Sequence, residues 1–214
     1  KDCVNLAIVG MPNVGKSSLM NLLLQEEKSI VTALAGTTRD SIDSFLRYYK
    51  KDIRLIDTAG LRKKSKIKGD VEFYSTVRTF RVIQDCDIAL VVIDGDKGFN
   101  NQDKDIIRHI IDSGKGLIIV VNKWDLLEKN THTQKGFRQN IIDQYPVLGY
   151  YPILFISVSH NLRTREVLKS ALMVFKERQK KIKTLDVNEF LNKAISYHSP
   201  PVIKGKNITI KYGT

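Results

Sequence analysis

The chain has 214 residues, 35 of them Lys or Arg against 23 Asp or Glu, for a formal net charge of +12. That length holds one ordinary domain and a small appendage. No apolar run approaches the ~18 residues needed to span a bilayer. The charge excess points to a polyanionic partner, nucleic acid above all. Cys3 and Cys86 lie far apart, and the histidines (His109, His132, His160, His198) are scattered. This spacing argues against a zinc site and for reduced thiols. The chain runs straight into a strand-like stretch with no signal peptide ahead of it. The expectation is a cytoplasmic protein with no membrane association.

In chain order, Val4–Val9 is an apolar run ending at Gly10, as a buried parallel strand does. Lys16–Leu24 has helical character. Ser44–Tyr49 and Ile53–Ile56 are short strand-like runs flanking Lys50-Lys51-Asp52, a predicted hairpin. Val71–Ile83 places Val71, Phe73, Tyr74, Val77, Phe80 and Ile83 near one helical face. Ile88–Ile93, Leu117–Val121 and Pro152–Ile156 are continuous apolar runs expected as further strands. Ile106, Ile107, Ile110 and Ile111 mark a helix between the first two, and Gln134–Tyr145 and Arg165–Lys181 supply two more. Strands alternating with helices predict an α/β sheet with right-handed crossovers, and ligands bind beyond the carboxyl ends of such strands. Near residue 180 the character changes. Lys176–Lys183 carries five basic residues, followed by a helical pattern at Val187–Tyr197, Pro200-Pro201 and a strand-like Asn207–Tyr212. The predicted division is 1–178 and 179–214.

Four segments fall at or just after strand ends. Gly10-Met11-Pro12-Asn13-Val14-Gly15-Lys16-Ser17-Ser18 follows a strand and opens a helix, the context a phosphate-binding loop requires. Its glycines let backbone N–H groups turn onto a phosphate, and the helix adds its positive end. Lys16 is expected on the β- and γ-phosphates and the Ser17 hydroxyl on Mg²⁺. Asp57-Thr58-Ala59-Gly60 ends a strand; Asp57 is expected to hold Mg²⁺ through a water and Gly60 to offer its N–H to the γ-phosphate. In Gly36-Thr37-Thr38-Arg39-Asp40, Thr38 is expected to close over the metal. Asn122-Lys123-Trp124-Asp125 follows another strand. The Asp125 carboxylate can accept two hydrogen bonds from guanine, a donor pair adenine lacks, so ATP is disfavoured by kilocalories. Lys123 can pack over the base, Asn122 brace the loop, and Ser157-Val158-Ser159 contact guanine O6 through its backbone. Taken alone, Asp-x-x-Gly is a common turn and the Ser157–Ser159 run an ordinary serine-rich loop. The order of the segments carries the reading.

One expected group is absent. Many GTPases place a glutamine after the Asp-x-x-Gly glycine to orient the attacking water. Here that position is Leu61, which neither donates nor accepts a hydrogen bond. Slow hydrolysis follows, or another group supplies the function. The Asn13 side chain can hold a K⁺ ion against the phosphates; the plainer alternative is that Asn13 only shapes the loop.

These residues resemble the class of Era-like GTPases whose catalytic glutamine is replaced by an apolar residue. They resemble more closely the second GTPase domain of the Der (EngA) family of bacterial ribosome-assembly GTPases. The carriers are Gly10–Ser17 with Pro12-Asn13, Gly36–Asp40, Asp57–Gly60 followed by Leu61-Arg62-Lys63-Lys64-Ser65, and Asn122–Asp125. The tail adds Arg178–Ile182, Asn188–Asn192 and Pro200-Pro201 before Lys204-Gly205-Lys206. The resemblance spans the whole chain. It implies a P-loop NTPase of the Ras-like G-domain class, a mostly parallel six-stranded sheet with helices on both faces, followed by an incomplete KH-like segment. It also implies GTP or GDP with Mg²⁺ and K⁺ at the site, and the large ribosomal subunit, rRNA and ribosomal proteins, as partner. A first G domain and the rest of the KH-like domain are expected in the full-length protein. Departures are Ser157-Val158 where the family has Ser-Ala, and Ala35 where it often has proline. The tail also lacks a Gly-x-x-Gly RNA clamp.

Two functions compete on the sequence. The first is a GTP-hydrolysing switch in ribosome assembly, with the basic stretch Arg62, Lys63, Lys64, Lys66 and Lys68 reporting nucleotide state to RNA. The second is a non-catalytic guanine-nucleotide-binding regulatory module, which the missing glutamine makes credible.

Overall fold

The computed structural model describes residues 3–26, 43–58, 72–127, 133–203, 206–210 and 212–213. The chain divides into two compact units, Lys1–Arg178 and Gln179–Thr214.

In the first unit, six strands form one sheet: β1 (Cys3–Val9), β2 (Ser44–Tyr48), β3 (Lys51–Leu55), β4 (Ile88–Asp94), β5 (Gly116–Asn122) and β6 (Ile153–Phe155). Their order is β2-β3-β1-β4-β5-β6. Within this sheet only β2 runs antiparallel to its neighbour, β3; the other pairings are parallel. The helices are α1 (Lys16–Glu26), α2 (Glu72–Asp85), α3 (Asn101–Asp112), α4 (Thr133–Gln144) and α5 (Arg165–Arg178).

The sheet is covered on both faces, which is why β4 and β5 read as unbroken apolar runs: every residue of each is buried. Alternation assigns neighbouring residues to opposite cores. Leu6, Ile8, Leu90, Val92, Ile118 and Val120 pack with Leu19, Met20 and Leu23 of α1 and Val167, Leu168, Ala171 and Phe175 of α5. Ala7, Val9, Ala89, Val91, Ile93, Ile119 and Val121 pack on the other side with Val82 and Ile83 of α2, Ile107 and Ile110 of α3, and Ile141 of α4. The parallel strands therefore all deliver their carboxyl ends to one edge, held between two dry layers.

Several boundaries differ from the sequence reading. Lys51 and Asp52 belong to β3, and the hairpin turn is Tyr49-Lys50, both with positive φ (46° and 63°). A two-residue turn of that hand matches the strand twist, and Arg47 pairs across it with Asp52 at 2.7 Å. The helix predicted to reach Lys181 stops at Arg178, whose guanidinium donates to the Gly114 carbonyl at 2.7 Å. Of the predicted α2 face, Val71 lies outside the described residues, as do the side chains of Phe73, Tyr74 and Val77.

The second unit holds α6 (Thr184–Tyr197), β7 (Val202–Ile203) and β8 (Lys206–Asn207), the last two paired antiparallel. The strand expected over Asn207–Tyr212 does not form through Ile208–Ile210. The chain is instead tied to α6: Asn188 Nδ2 donates to the Gly213 carbonyl at 3.0 Å and its Oδ1 accepts from the Gly213 N–H at 2.9 Å. Among the described residues α6 buries none of its side chains and leaves Leu185, Phe190 and Tyr197 exposed. No helix among the described residues is long and apolar enough to cross a membrane.

The start of α3 stores an electrostatic cost. Asn100 caps it by accepting from the Asp103 N–H at 3.1 Å, and Asp103 Oδ2 accepts from the Asn100 N–H at 3.2 Å. Asp103 is 1% exposed, and its Oδ1 has no partner. Burial raises its pKa from an ordinary 3.8 to about 6. The folded state therefore holds a proton that the unfolded chain releases, and stability falls as pH rises from about 4 to about 6. Asp103→Asn keeps an acceptor for the Asn100 N–H and removes the charge. Each pH unit separating the folded and unfolded pKa values is worth about 1.4 kcal/mol. Urea denaturation should therefore show the variant gaining about 1–3 kcal/mol on the wild type between pH 4 and pH 7. A difference that does not change with pH refutes the account.

Candidate functional site

The loop after β1 is shaped by what cannot fit beside it. Gly10 has φ 136°, and a Cβ there would strike the Val92 carbonyl of β4. Gly15 has φ 100°, and a Cβ there would strike the Asn122 side-chain amide. Both positions therefore require glycine. Asn13 adopts a left-handed φ of 63°, a conformation asparagine accepts more readily than most residues. Pro12 and Asn13 are exposed and Val14 is buried. The backbone then enters α1 directly, the Leu19 N–H donating to the Gly15 carbonyl at 2.9 Å. Lys16 donates its ammonium to the Met11 carbonyl, spanning the loop. Ser17 is half-buried and Ser18 exposed on the first turn. The result is a cradle with a helix amino end at its base, chemistry that suits a phosphate.

Asn122 at the end of β5 joins three loops. Its Nδ2 donates to the Val14 carbonyl at 2.9 Å. Its Oδ1 accepts from the Val158 N–H at 3.1 Å. The side chain is 3% exposed, so these two bonds are sheltered from water. Lys123 follows with a left-handed φ of 60°, and its ammonium meets Asp94 Oδ2 at 2.6 Å. Asp94 is directly beside Asn122 in the β4–β5 register, which is how it reaches the lysine. The Trp124 N–H donates to the Ile156 carbonyl at 3.0 Å, and its ring packs against Phe155 and Phe137. Trp124 therefore anchors the loop by packing.

Asp125 stands where the β5 and β6 loops meet. Ser159 Oγ is 3.4 Å from both of its oxygens, and His160 Nδ1 is 3.4 Å from Oδ2. A hydrogen bond from Ser157 is the main influence holding the Asp125 carboxyl below the usual carboxylate range. It is thus an ionised acceptor near neutrality, suited to a ligand edge with two donors.

The strand end of β3 is tied by a second network. The Asp57 N–H donates to Asp43 Oδ1 at 2.9 Å, and Asp43 is held by Arg54, whose Nε donates to Oδ2 at 2.7 Å. Ser44 Oγ donates to Thr58 Oγ1 at 3.1 Å. Asp57 has a left-handed φ of 59°, and both its carboxylate oxygens receive the guanidinium of Arg78 on α2. Thr38, Ala59 and Gly60 lie outside the described residues, as does Leu61.

Asp43, Arg78, Asp94 and His160 are the site neighbours that the sequence did not single out. Asp94 had a signal: an acid closing an apolar strand run beside the Asn122 strand.

A phosphate cradle after β1, an acid after β3 and an Asn-Lys-x-Asp turn after β5, on this strand order, define the P-loop GTPase fold. The chain belongs to the 50S ribosome-binding GTPase family, whose model matches residues 5–123. Among curated relatives it is similar to GTPase Der of Amoebophilus asiaticus (strain 5a2), 46% identical over 99% of this chain and 49% of the relative. GTPase Der of Chlorobium phaeobacteroides (strain BS1) is likewise 46% identical, over 99% of this chain and 48% of the relative. The chain thus spans about half the length of these relatives. Among solved structures it resembles Era in complex with MgGDPNP and nucleotides 1506–1542 of 16S ribosomal RNA. The TM-score is 0.61 at 26% identity, covering 81% of this chain and 57% of that one.

Removing the Asn122 side chain should uncouple the loops. Asn122→Ala leaves the Val14 carbonyl and the Val158 N–H without their partner, and each unmet buried group costs about 1–3 kcal/mol. Chemical denaturation should show a loss of about 2–6 kcal/mol; a loss below about 0.5 kcal/mol would mean the clasp is not structural.

Proposed function

We propose that this chain is a guanine-nucleotide switch that binds GTP or GDP with Mg²⁺ and hydrolyses GTP to GDP and phosphate. The Asn122 clasp is the observation that carries the reading. It ties the phosphate cradle, through Val14, and the β6 loop, through Val158, to the start of the acid-bearing β5 loop, as a ligand with phosphates at one end and a purine at the other requires.

The residues divide the work by chemistry. The backbone of Gly10–Gly15 and the amino end of α1 take the phosphates, and Lys16 exchanges the Met11 carbonyl for phosphate oxygens. Asp125 accepts two hydrogen bonds from guanine, Lys123 lies along the base while Asp94 holds its ammonium, and Ser157, Val158 and Ser159 line the O6 side. The donor set of Ser17, Thr38 and Asp57, hydroxyls and a carboxylate, fits a hard oxygen-seeking cation. When bound, Mg²⁺ neutralises charge on the β- and γ-phosphates. Gly60 offers its N–H to the γ-phosphate. Asn13 presents an exposed side chain from the cradle rim, positioned for K⁺. With Leu61 in the water-orienting position, intrinsic hydrolysis is slow and K⁺-stimulated.

The family description and the positive charge support a ribosomal partner. We assign that partner as the large subunit, through rRNA and ribosomal proteins, in its assembly in the cytoplasm. Residues 179–214 are read as the start of a KH-like domain. The exposed apolar side chains of α6 suit a helix that packs on further chain.

Competition binding tests the base reader. Asp125→Ala removes two hydrogen bonds to a charged acceptor, each worth about 1.5–3 kcal/mol. GTP affinity should fall about 10²–10⁴-fold, with ATP binding unchanged. Retained preference for GTP would refute the assignment of Asp125. Phosphate release in KCl and in NaCl tests Asn13. The wild type should be faster in KCl and Asn13→Ala equal in both; equal wild-type rates end the potassium reading. Cosedimentation of the full-length protein with ribosomal subunits, in GDP and in a non-hydrolysable GTP analogue, tests the partner.

A further inference from the structure

Asp57 is a tightly held carboxylate of the candidate site. Its backbone N–H is fixed to Asp43, its φ lies in the left-handed region, and its side chain is only 16% exposed. Arg78 approaches both oxygens in a fork, Nε to Oδ2 at 2.5 Å and Nη2 to Oδ1. A planar guanidinium matched to a carboxylate in this way is the strongest pairing that ordinary side chains make.

The helix that supplies Arg78 is well anchored. Ile83 and Val82 are buried in the core below α2. The ring of Phe80 stacks on His109 of α3 with centroids 4.2 Å apart. Arg78 therefore reaches Asp57 from a helix already held in place. In sequence, Asp57 and Arg78 lie on either side of residues 59–71, which include Gly60 and the basic residues Arg62 to Lys68.

We propose that Arg78 is a positioning residue that competes with the magnesium site for Asp57. The guanidinium claims the same oxygens that would accept a metal-bound water, and two cations on one carboxylate repel each other. Metal loading then requires Arg78 to leave, and its departure frees α2 from the end of β3. Arg78 thereby raises the Mg²⁺ concentration at which the nucleotide complex forms and couples metal loading to the helix that follows the 59–71 stretch. This rests on the reading of Asp57 as the metal carboxylate.

The test is fluorescent GTP-analogue binding to the purified chain across a Mg²⁺ titration. It uses the wild type, Arg78→Ala, Arg78→Lys and Asp57→Ala, with amide hydrogen exchange over residues 78–85 as a second readout. Arg78→Ala should lower the midpoint Mg²⁺ concentration about tenfold, with affinity in EDTA unchanged within about twofold. Arg78→Lys, which keeps the charge and loses the fork, should fall between. In the wild type, Mg²⁺ with the analogue should raise exchange over 78–85. Arg78→Ala should show that faster exchange without metal. An unchanged or raised midpoint in both Arg78 variants, with Asp57→Ala abolishing the Mg²⁺ dependence, overturns the role of Arg78 alone. If Asp57→Ala leaves the Mg²⁺ dependence intact, the metal assignment of Asp57 falls, and this proposal with it.

Discussion

The side chain of Asn122 is the constraint on which the site depends. Three loops leave the sheet after β1, β5 and β6, and nothing in strand pairing alone sets the distance between their tips. A single buried amide does so, donating to one loop and accepting from another. Its donor and acceptor are a fixed distance apart, so the separation of the phosphate cradle and the base loop is set by covalent geometry. Gly15 must be glycine for the same reason: a Cβ would occupy the space of that amide. The most recognisable glycine of the phosphate loop is thus dictated partly by a residue more than a hundred positions downstream.

The opposite side of the site is organised by charge. Arg54, Asp43, Asp57 and Arg78 form a chain of charged groups, linked by side-chain forks and one backbone N–H. The two halves respond differently to perturbation. The Asn122 clasp is neutral, buried and insensitive to salt. The charged chain is partly exposed, with Arg54 and Arg78 each more than 40% accessible, and is open to competition by another cation. The Asn122 half suits a fixed template and the charged half suits a moving part.

The sheet was legible in the sequence because burial on both faces leaves strands with no polar residues to interrupt them, as in Ile88–Ile93 and Leu117–Val121. The motifs were legible because their chemistry needs particular residues at short spacing. Long-range partners were not. Nothing local to Arg78 says that it reaches Asp57, and His160 comes near Asp125 only because two loops converge. Asp94 meets Lys123 through strand register, which periodicity does not reveal. The expected strand at Asn207–Tyr212 failed for a related reason. Its alternating apolar residues suit a strand, but Asn188 satisfies the backbone of Gly213 and draws the tail to α6.

The left-handed residues add a further step. Asn13, Asp57 and Lys123 have φ of 63°, 59° and 60°, and each belongs to a different predicted contact: the cradle rim, the metal carboxylate and the base. Such backbone is costly for residues with a Cβ, and it persists where the surroundings over-determine it. The surroundings here are identifiable. Asp43 and Arg78 hold Asp57, Asp94 holds Lys123, and the two glycines with their steric walls bracket Asn13. Three of the side chains assigned to ligand chemistry thus sit on backbone that their neighbours hold in place. Asn13 and Lys123 are oriented before any ligand arrives, whereas the Asp57 carboxylate is held in a pairing with Arg78 that a ligand must displace.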